Sequence, residues 1–188
     1  MKKVLIVIGI LVLIVLIAFG WFRRGYDTAV IKDERVKSAW AQIENQLQRR
    51  NDLIPNLVNT VKGFAAQEKE IFTEVTRLRS QWGAQASIQD KIENANAMSG
   101  ALSRLLLVAE NYPQLKSDQN FLALQSQLEG TENRIAVERM RYNQAVQDFN
   151  TFRRTFFGRF FASLAGLTEP AVYFEAETQA KEVPQVQF

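Results

Sequence analysis

A chain of 188 residues that is 47% apolar and 11% aromatic can bury one real core and still carry an appendage. Its formal charge of +3, with basic and acidic residues interleaved, is too small and too dispersed for nucleic-acid binding. Without Cys or His, disulfides, thiolate catalysis, Cys/His zinc sites and imidazole acid–base chemistry are excluded.

The chain opens on an apolar run, VLIVIGILVLIVLIAFGWF from Val4 to Phe22. It carries no charge and matches the roughly 20 residues a helix needs to cross a bilayer. Lys2 and Lys3 precede it, and Trp21, Phe22, Arg23 and Arg24 form an aromatic and basic collar after it. A cleaved secretory signal also starts with lysines, but its apolar region is usually about 7–15 residues, and no small-x-small cleavage site precedes the charged flank here. Residues 1–25 therefore read as a retained single-pass anchor. Arg23, Arg24, Lys32, Arg35 and Lys37 outnumber the positive charges before the run, which favours a cytoplasmic C-terminal domain. A lysine-led signal anchor would give the opposite orientation.

From Val36 onward apolar residues recur at every seventh position in two series. One is Val36, Ile43, Arg50, Leu57, Phe64, Ile71, Leu78; the other is Trp40, Leu47, Ile54, Val61, Glu68, Val75, Trp82. Only Arg50 and Glu68 break the pattern. The repeat predicts a long helix that offers one seam to partner helices in a bundle or coiled coil. It begins near Tyr26 or Asp27, or runs on directly from the anchor, and stops near Gly83. A second helix is expected over Ile88 to Glu110, ended by Asn111-Tyr112-Pro113. A third follows from an N-cap at Ser117 or Asp118 to about Phe156, weakened by about 1 kcal/mol at Gly130 but not ended there. Residues 26–167 thus form an all-α helical bundle, and residues 168–188, with two prolines and no period, an extended tail. A first helix of about 55 residues would span roughly 80 Å. The second is less than half as long, so one end of the seam lacks cover within the chain and homo-oligomers are expected.

Several residues ask for more than packing. Arg50 is a charge at a seam position, so it must reach water along its stem or meet a carboxylate; Glu132 and Glu138 are the two candidates on the third helix. Pro55 lacks an N–H and crowds the Asn51 carbonyl, which costs about 3 kcal/mol in an ordinary helix and bends it. Asn56 follows it. In YNQAVQDFN an aromatic–amide pair repeats at seven residues, Tyr142-Asn143 and Phe149-Asn150, with the aromatics suited to the core and the amides to backbone or subunit contacts. FRRTFFGRFFASLAGL crowds Arg153, Arg154, Phe156, Phe157, Arg159, Phe160 and Phe161 into a basic amphipathic segment suited to a bilayer surface. The carboxylate pairs Glu68/Glu70, Asp90/Glu93 and Glu129/Glu132 have no histidine to complete a bundle-type metal site. No Gly-rich phosphate loop or Gly-x-Ser-x-Gly occurs. No catalytic residue, metal or cofactor is expected.

The stretches QLQRRNDLIPNLVNTVKGFAAQEKEIF and YPQLKSDQNFLALQSQLEGTENRIAVERMRYNQAVQDFN, with the ending VPQVQF, resemble the LemA family of bacterial membrane proteins over nearly the whole chain. Arg50, Leu53, Ile54, Pro55, Asn56, Leu57 and Val58 match that family's most recognisable motif. The resemblance implies an antiparallel helical bundle on one N-terminal membrane helix in the bacterial inner membrane. It implies no established enzymatic activity. The expected function is a non-enzymatic scaffold or adaptor that self-associates, with the lipid bilayer, copies of itself and other membrane proteins as partners. The alternative is a membrane-remodelling protein that lays its basic amphipathic segment on the bilayer.

Overall fold

The computed structural model describes residues 2–84 and 87–175. Among these residues the chain is all α: α1 (Lys2–Phe64), α2 (Lys69–Trp82), α3 (Ile88–Glu110), α4 (Pro113–Lys116), α5 (Gln119–Arg154) and α6 (Phe156–Leu164). The second half of the tail, VPQVQF included, lies outside the described residues.

The first helix runs on from the apolar segment without a break, and Pro55 does not end it. It stops at Phe64, well short of Gly83. Gly63 lowers helix propensity at this point. Ala65 to Glu68 then form a turn in which the Glu68 N–H donates to the Ala65 carbonyl at 3.1 Å and the Lys69 N–H to Gln67 at 2.8 Å. The chain reverses: Arg79 of α2 reaches back to Asn51 of α1, and Lys62 lies over the Phe72 ring at 5.4 Å. Reversal buries Phe72, Val75 and Leu78 in the same cluster as Ile54, Leu57 and Val61. At about 1.5–3 kcal/mol per fully buried side chain, that gain outweighs the few helical hydrogen bonds given up at the turn.

Two compact units divide the chain. The larger comprises residues 41–141 with the tail from 172, and it holds parts of α1 and α5 together with α2, α3 and the short α4. Glu44 pairs with Lys91, and Gln67 bonds Tyr112, so α3 runs parallel to this part of α1 while α2 runs against both. The α5 helix returns, capped at its start by Asp118, whose Oδ1 accepts the Phe121 N–H at 2.9 Å. Gly130 does not interrupt it. Part of the tail docks here: Phe174 is 2% exposed, with the Arg139 guanidinium 4.5 Å from its ring centroid, and Asn96 donates to the Glu175 carbonyl at 2.9 Å.

The smaller unit comprises residues 1–40 and 142–171. Trp40 and Tyr142 meet edge to face at 5.4 Å, and Ala29, Val36, Val146 and Phe149 are buried. The α5 helix ends at Arg154, not near Phe156, because Thr155 leaves the helical region and caps a new helix. Its hydroxyl donates to the Phe152 carbonyl at 2.8 Å and accepts the Gly158 N–H at 3.1 Å. Gly158 is required there, since a Cβ would stand 1.9 Å from the Phe152 carbonyl oxygen. After α6, Asn150 fixes the extended chain with two bonds of 2.9 Å, donating to the Ala171 carbonyl and accepting its N–H. The expected extended tail over 168–188 is described only as far as Glu175, and Asn150 and Asn96 bond that part.

The seam finds most of its cover within the chain. Val36, Trp40, Ile43, Leu47, Ile54, Leu57 and Val61 are all buried within the single chain, because α2 folds back and α5 is 36 residues long. At the end of α1 the seam residue Phe64 is still exposed.

Candidate functional site

Among the described residues of the larger unit the buried charge is Arg50, 2% exposed on α1. Its Nη1 donates to Glu132 Oε1 at 2.8 Å and to Ser99 Oγ at 2.8 Å, and its Nη2 to the Ala95 carbonyl at 3.1 Å. Of the two carboxylates considered from sequence, Glu132 makes this contact, whereas Glu138 pairs with Arg141 at 2.7 Å. Ser99 in turn donates to Ala95 at 3.1 Å, so one guanidinium ties α1, α3 and α5 to one register. Nε finds no acceptor among the described residues. Glu132 is 42% exposed and therefore retains water on its far side. Arg139, also near Glu132, has its pKa lowered by burial, an effect the Glu132 charge opposes.

Pro55 acts one step removed. The Asn51 carbonyl would ordinarily accept the N–H of residue 55, and proline has none. Arg79 of α2 supplies the missing donor, its Nε at 3.2 Å from that oxygen. The residue that frees the carbonyl thereby gives α2 an acceptor on α1. Asn56 is exposed, and its carbonyl accepts the Thr60 hydroxyl at 2.9 Å. Asn94, buried on α3, donates to the Leu78 carbonyl of α2 at 3.0 Å. At the turn between α1 and α2, Tyr112 donates to Glu68 at 3.2 Å, and burial followed by that carboxylate raises its pKa.

In the smaller unit α6 sits against the end of the apolar run. Trp21 meets Phe157 at 5.1 Å and Phe161 at 5.3 Å, and Phe22 meets Phe161 at 5.7 Å and Phe160 at 6.5 Å, all edge to face. Gly25 makes room: a Cβ there would lie 2.2 Å from the Phe161 ring. Phe156 is 86% exposed, and Phe157, Phe160 and Leu164 are more than half exposed. Arg153, Arg154 and Arg159 line a hollow of about 550 Å³ with Ser163 and Thr168. Of the aromatic and basic residues singled out from sequence, Phe157, Phe160 and Phe161 meet Trp21 and Phe22, whereas Phe156 and the three arginines do not.

Of the remaining candidates, Tyr142 is a core residue whose pKa burial pushes up to about 12, Asn143 is half-buried, and Asn150 holds the tail. Sequence reasoning missed Ser99, Arg79, Asn94, Gly25 and Gly158. Only Arg79 had a usable signal, because Pro55 announces a carbonyl in need of a donor. No cluster of three or more metal-ligating side chains occurs among the described residues.

The first helix is long and apolar enough to cross a membrane, with its apolar stretch exposed throughout. The chain is 28% identical over 172 residues to magnetosome protein MamQ 2 of Paramagnetospirillum magneticum, an alignment covering 78% of this chain and 62% of that protein. It is 25% identical over 151 residues to magnetosome protein MamQ of Magnetospirillum gryphiswaldense, covering 66% of this chain and 56% of that one. The chain therefore spans less than two thirds of these relatives. Protein LemA of Metamycoplasma hominis is 22% identical over 161 residues, with 85% and 74% covered. Neither the LemA nor the MamQ proteins are known as enzymes. Residues 39–188, from just before Trp40 through the Arg50 and Pro55 motif to the end, match the LemA family, and this membrane-associated helical protein belongs to that family.

Proposed function

We propose that this protein is a non-enzymatic, single-pass protein of the bacterial inner membrane whose helical domain, on the cytoplasmic side, self-associates as a scaffold or adaptor. The observation that carries this reading is an apolar groove on the larger unit. Leu107 of α3 is 65% exposed and Leu122 of α5 is 47% exposed, and with Leu106 and Phe121 they line one hollow of about 570 Å³. Apolar side chains gathered in a groove mark a contact surface more often than scattered ones do. A second copy of the chain is the occupant proposed, with other membrane proteins as further clients. The basic excess after the apolar run supports the orientation.

Light scattering of the full-length protein in detergent tests the assembly. The parent should exceed monomer mass at micromolar concentration, and Leu107→Glu with Leu122→Glu should return it to monomer; a monomeric parent overturns the reading. A phosphatase reporter fused after Phe188 tests orientation, and strong periplasmic activity would reverse it.

A second reading is favoured by the contacts of Trp21 and Phe22 with α6: the basic amphipathic helix lies on the bilayer surface and acts on the membrane itself.

A further inference from the structure

The exposed residues of α6 fall into two adjacent stripes. Phe156, Phe160 and Leu164 recur at i, i+4 and i+8, with Phe157 beside them; Arg159 and Ser163 form the neighbouring i, i+4 row. The third side, Gly158, Phe161 and Ala162, is buried. Interfacial aromatics such as Trp21 and Phe22 sit at headgroup depth when the preceding run spans the hydrocarbon. Because four ring contacts tie α6 to those two residues, the helix is held at the same depth, with Phe156 free and more than half of Phe157, Phe160 and Leu164 still exposed.

We propose that the hollow beside this helix, under Arg153, Arg154 and Arg159, binds the phosphate of an anionic lipid headgroup whose acyl chains lie along Phe156, Phe160 and Leu164. The proposal rests on the reading that α6 lies in the bilayer surface. Three observations carry it. Arg153 is already positioned, donating to the Thr168 carbonyl and standing 6.0 Å from the Phe149 ring centroid, so it keeps a fixed place at the wall. Arg154 and Arg159 meet no carboxylate among the described residues, and both are exposed at the hollow. Ser163 and Thr168 line the same hollow. A hollow of about 550 Å³ falls in the range of about 300–1,000 Å³ seen for small-molecule sites. Guanidinium groups match phosphate oxygens with paired donors, and a free phosphate would leave the adjacent apolar stripe in water. A lipid satisfies both stripes at once.

The chain contains no cysteine, so one introduced thiol is unique and the full-length protein can be spin-labelled at a single place. In vesicles of phosphatidylcholine with phosphatidylglycerol, a label on Phe160→Cys should be reached by oxygen and shielded from a polar nickel complex. A label on Met140→Cys, exposed on the larger unit, should behave in the opposite way. A water-exposed label at 160 would overturn the surface reading and the lipid site together. Native mass spectrometry of protein extracted from the same vesicles then reads headgroup selection. Phosphatidylglycerol should be enriched on the parent, and Arg154→Gln with Arg159→Gln should lower the enrichment at least about fivefold, the effect of about one basic residue at a membrane surface. The Arg154→Lys, Arg159→Lys pair should keep part of it, and helix content of each variant by circular dichroism should match the parent. If label 160 is in lipid and the glutamine pair retains full enrichment, the site is wrong and the surface reading stands. If inorganic phosphate binds to the protein in detergent as tightly as the lipid competes for it, the lipid assignment is overturned in favour of a free anion.

Discussion

The two units solve the problem of specificity in opposite ways. The larger one buries a charge, two amides and a hydroxyl, Arg50, Asn51, Asn94 and Thr131, and Arg50 and Asn94 bond across helices while Thr131 bonds within its own. Among the described residues of the smaller one, the buried groups are apolar or aromatic, and glycines at 25 and 158 bring rings and backbone together. A heptad seam tolerates slippage by a whole turn, and a buried polar group prevents it because only one register supplies its partners. An aromatic cluster needs no such device when a missing Cβ admits a ring at only one place. Bonds between buried polar groups define the larger unit; in the smaller one ring packing adds to the bonds of Asn150 and Thr155.

The strongest way to break this contrast is to strand the charge. Glu132→Leu should leave Arg50 buried with Ser99 and Ala95 but without a counter-charge, at a loss of about 3 kcal/mol. Arg50→Met should cost far less, because the half-exposed Glu132 returns to water. Thermal unfolding of both single variants and the double variant measures the asymmetry. Equal losses from the two single variants would mean that the pair is ordinary packing. Next in size, Gly158→Val forces a Cβ against the Phe152 carbonyl and should destabilise the α5–α6 junction by about 2 kcal/mol. Hydrogen exchange should show faster opening over 156–164 and little change over α3.

A third test uses pH. Tyr142 titrates near 10 in an unfolded chain but at about 12 in the folded protein, because burial disfavours the phenolate. The folded state therefore holds the proton more tightly. Its contribution is complete below pH 10 and is lost as pH rises toward 12, for a fall of up to about 2 kcal/mol. Unfolding monitored across that window should lose this component in Tyr142→Phe.

How much of this was readable beforehand depended on distance along the chain. The seam positions were found because a seven-residue period is local, and the Asp118 cap and the stop before Pro113 are local too. The reversal after Phe64 was hidden by the same period: Phe64, Ile71 and Leu78 keep their spacing through a turn and a new helix, so a hairpin and a straight helix write the same pattern. The placement of α6 was half readable. Its composition points to a bilayer, but the contacts of Phe161 with Trp21 and Gly25 join residues more than a hundred positions apart, and no spacing rule reaches that far.

The smallest expected effect is the most discriminating for Pro55. From sequence alone, Pro55→Ala should recover much of the roughly 3 kcal/mol that proline costs in a helix interior. The structure argues for a smaller gain, because the Asn51 carbonyl already has a donor in Arg79 and the alanine N–H would compete with it. With the hydrogen bond merely exchanged, relief of the ring clash remains against some loss of α2 docking, and the net change should stay within about 1 kcal/mol. The coupling is clearer than either single effect. Arg79→Ala should cost about 1 kcal/mol with Pro55 present, since it leaves a buried carbonyl without a donor. In the Pro55→Ala background it should cost close to nothing, because the new backbone N–H fills the place. Thermal unfolding of the four proteins gives the cycle directly. If the two changes prove additive, Arg79 meets Asn51 by proximity alone, and the proline is a tolerated kink with no part in holding α2 to α1.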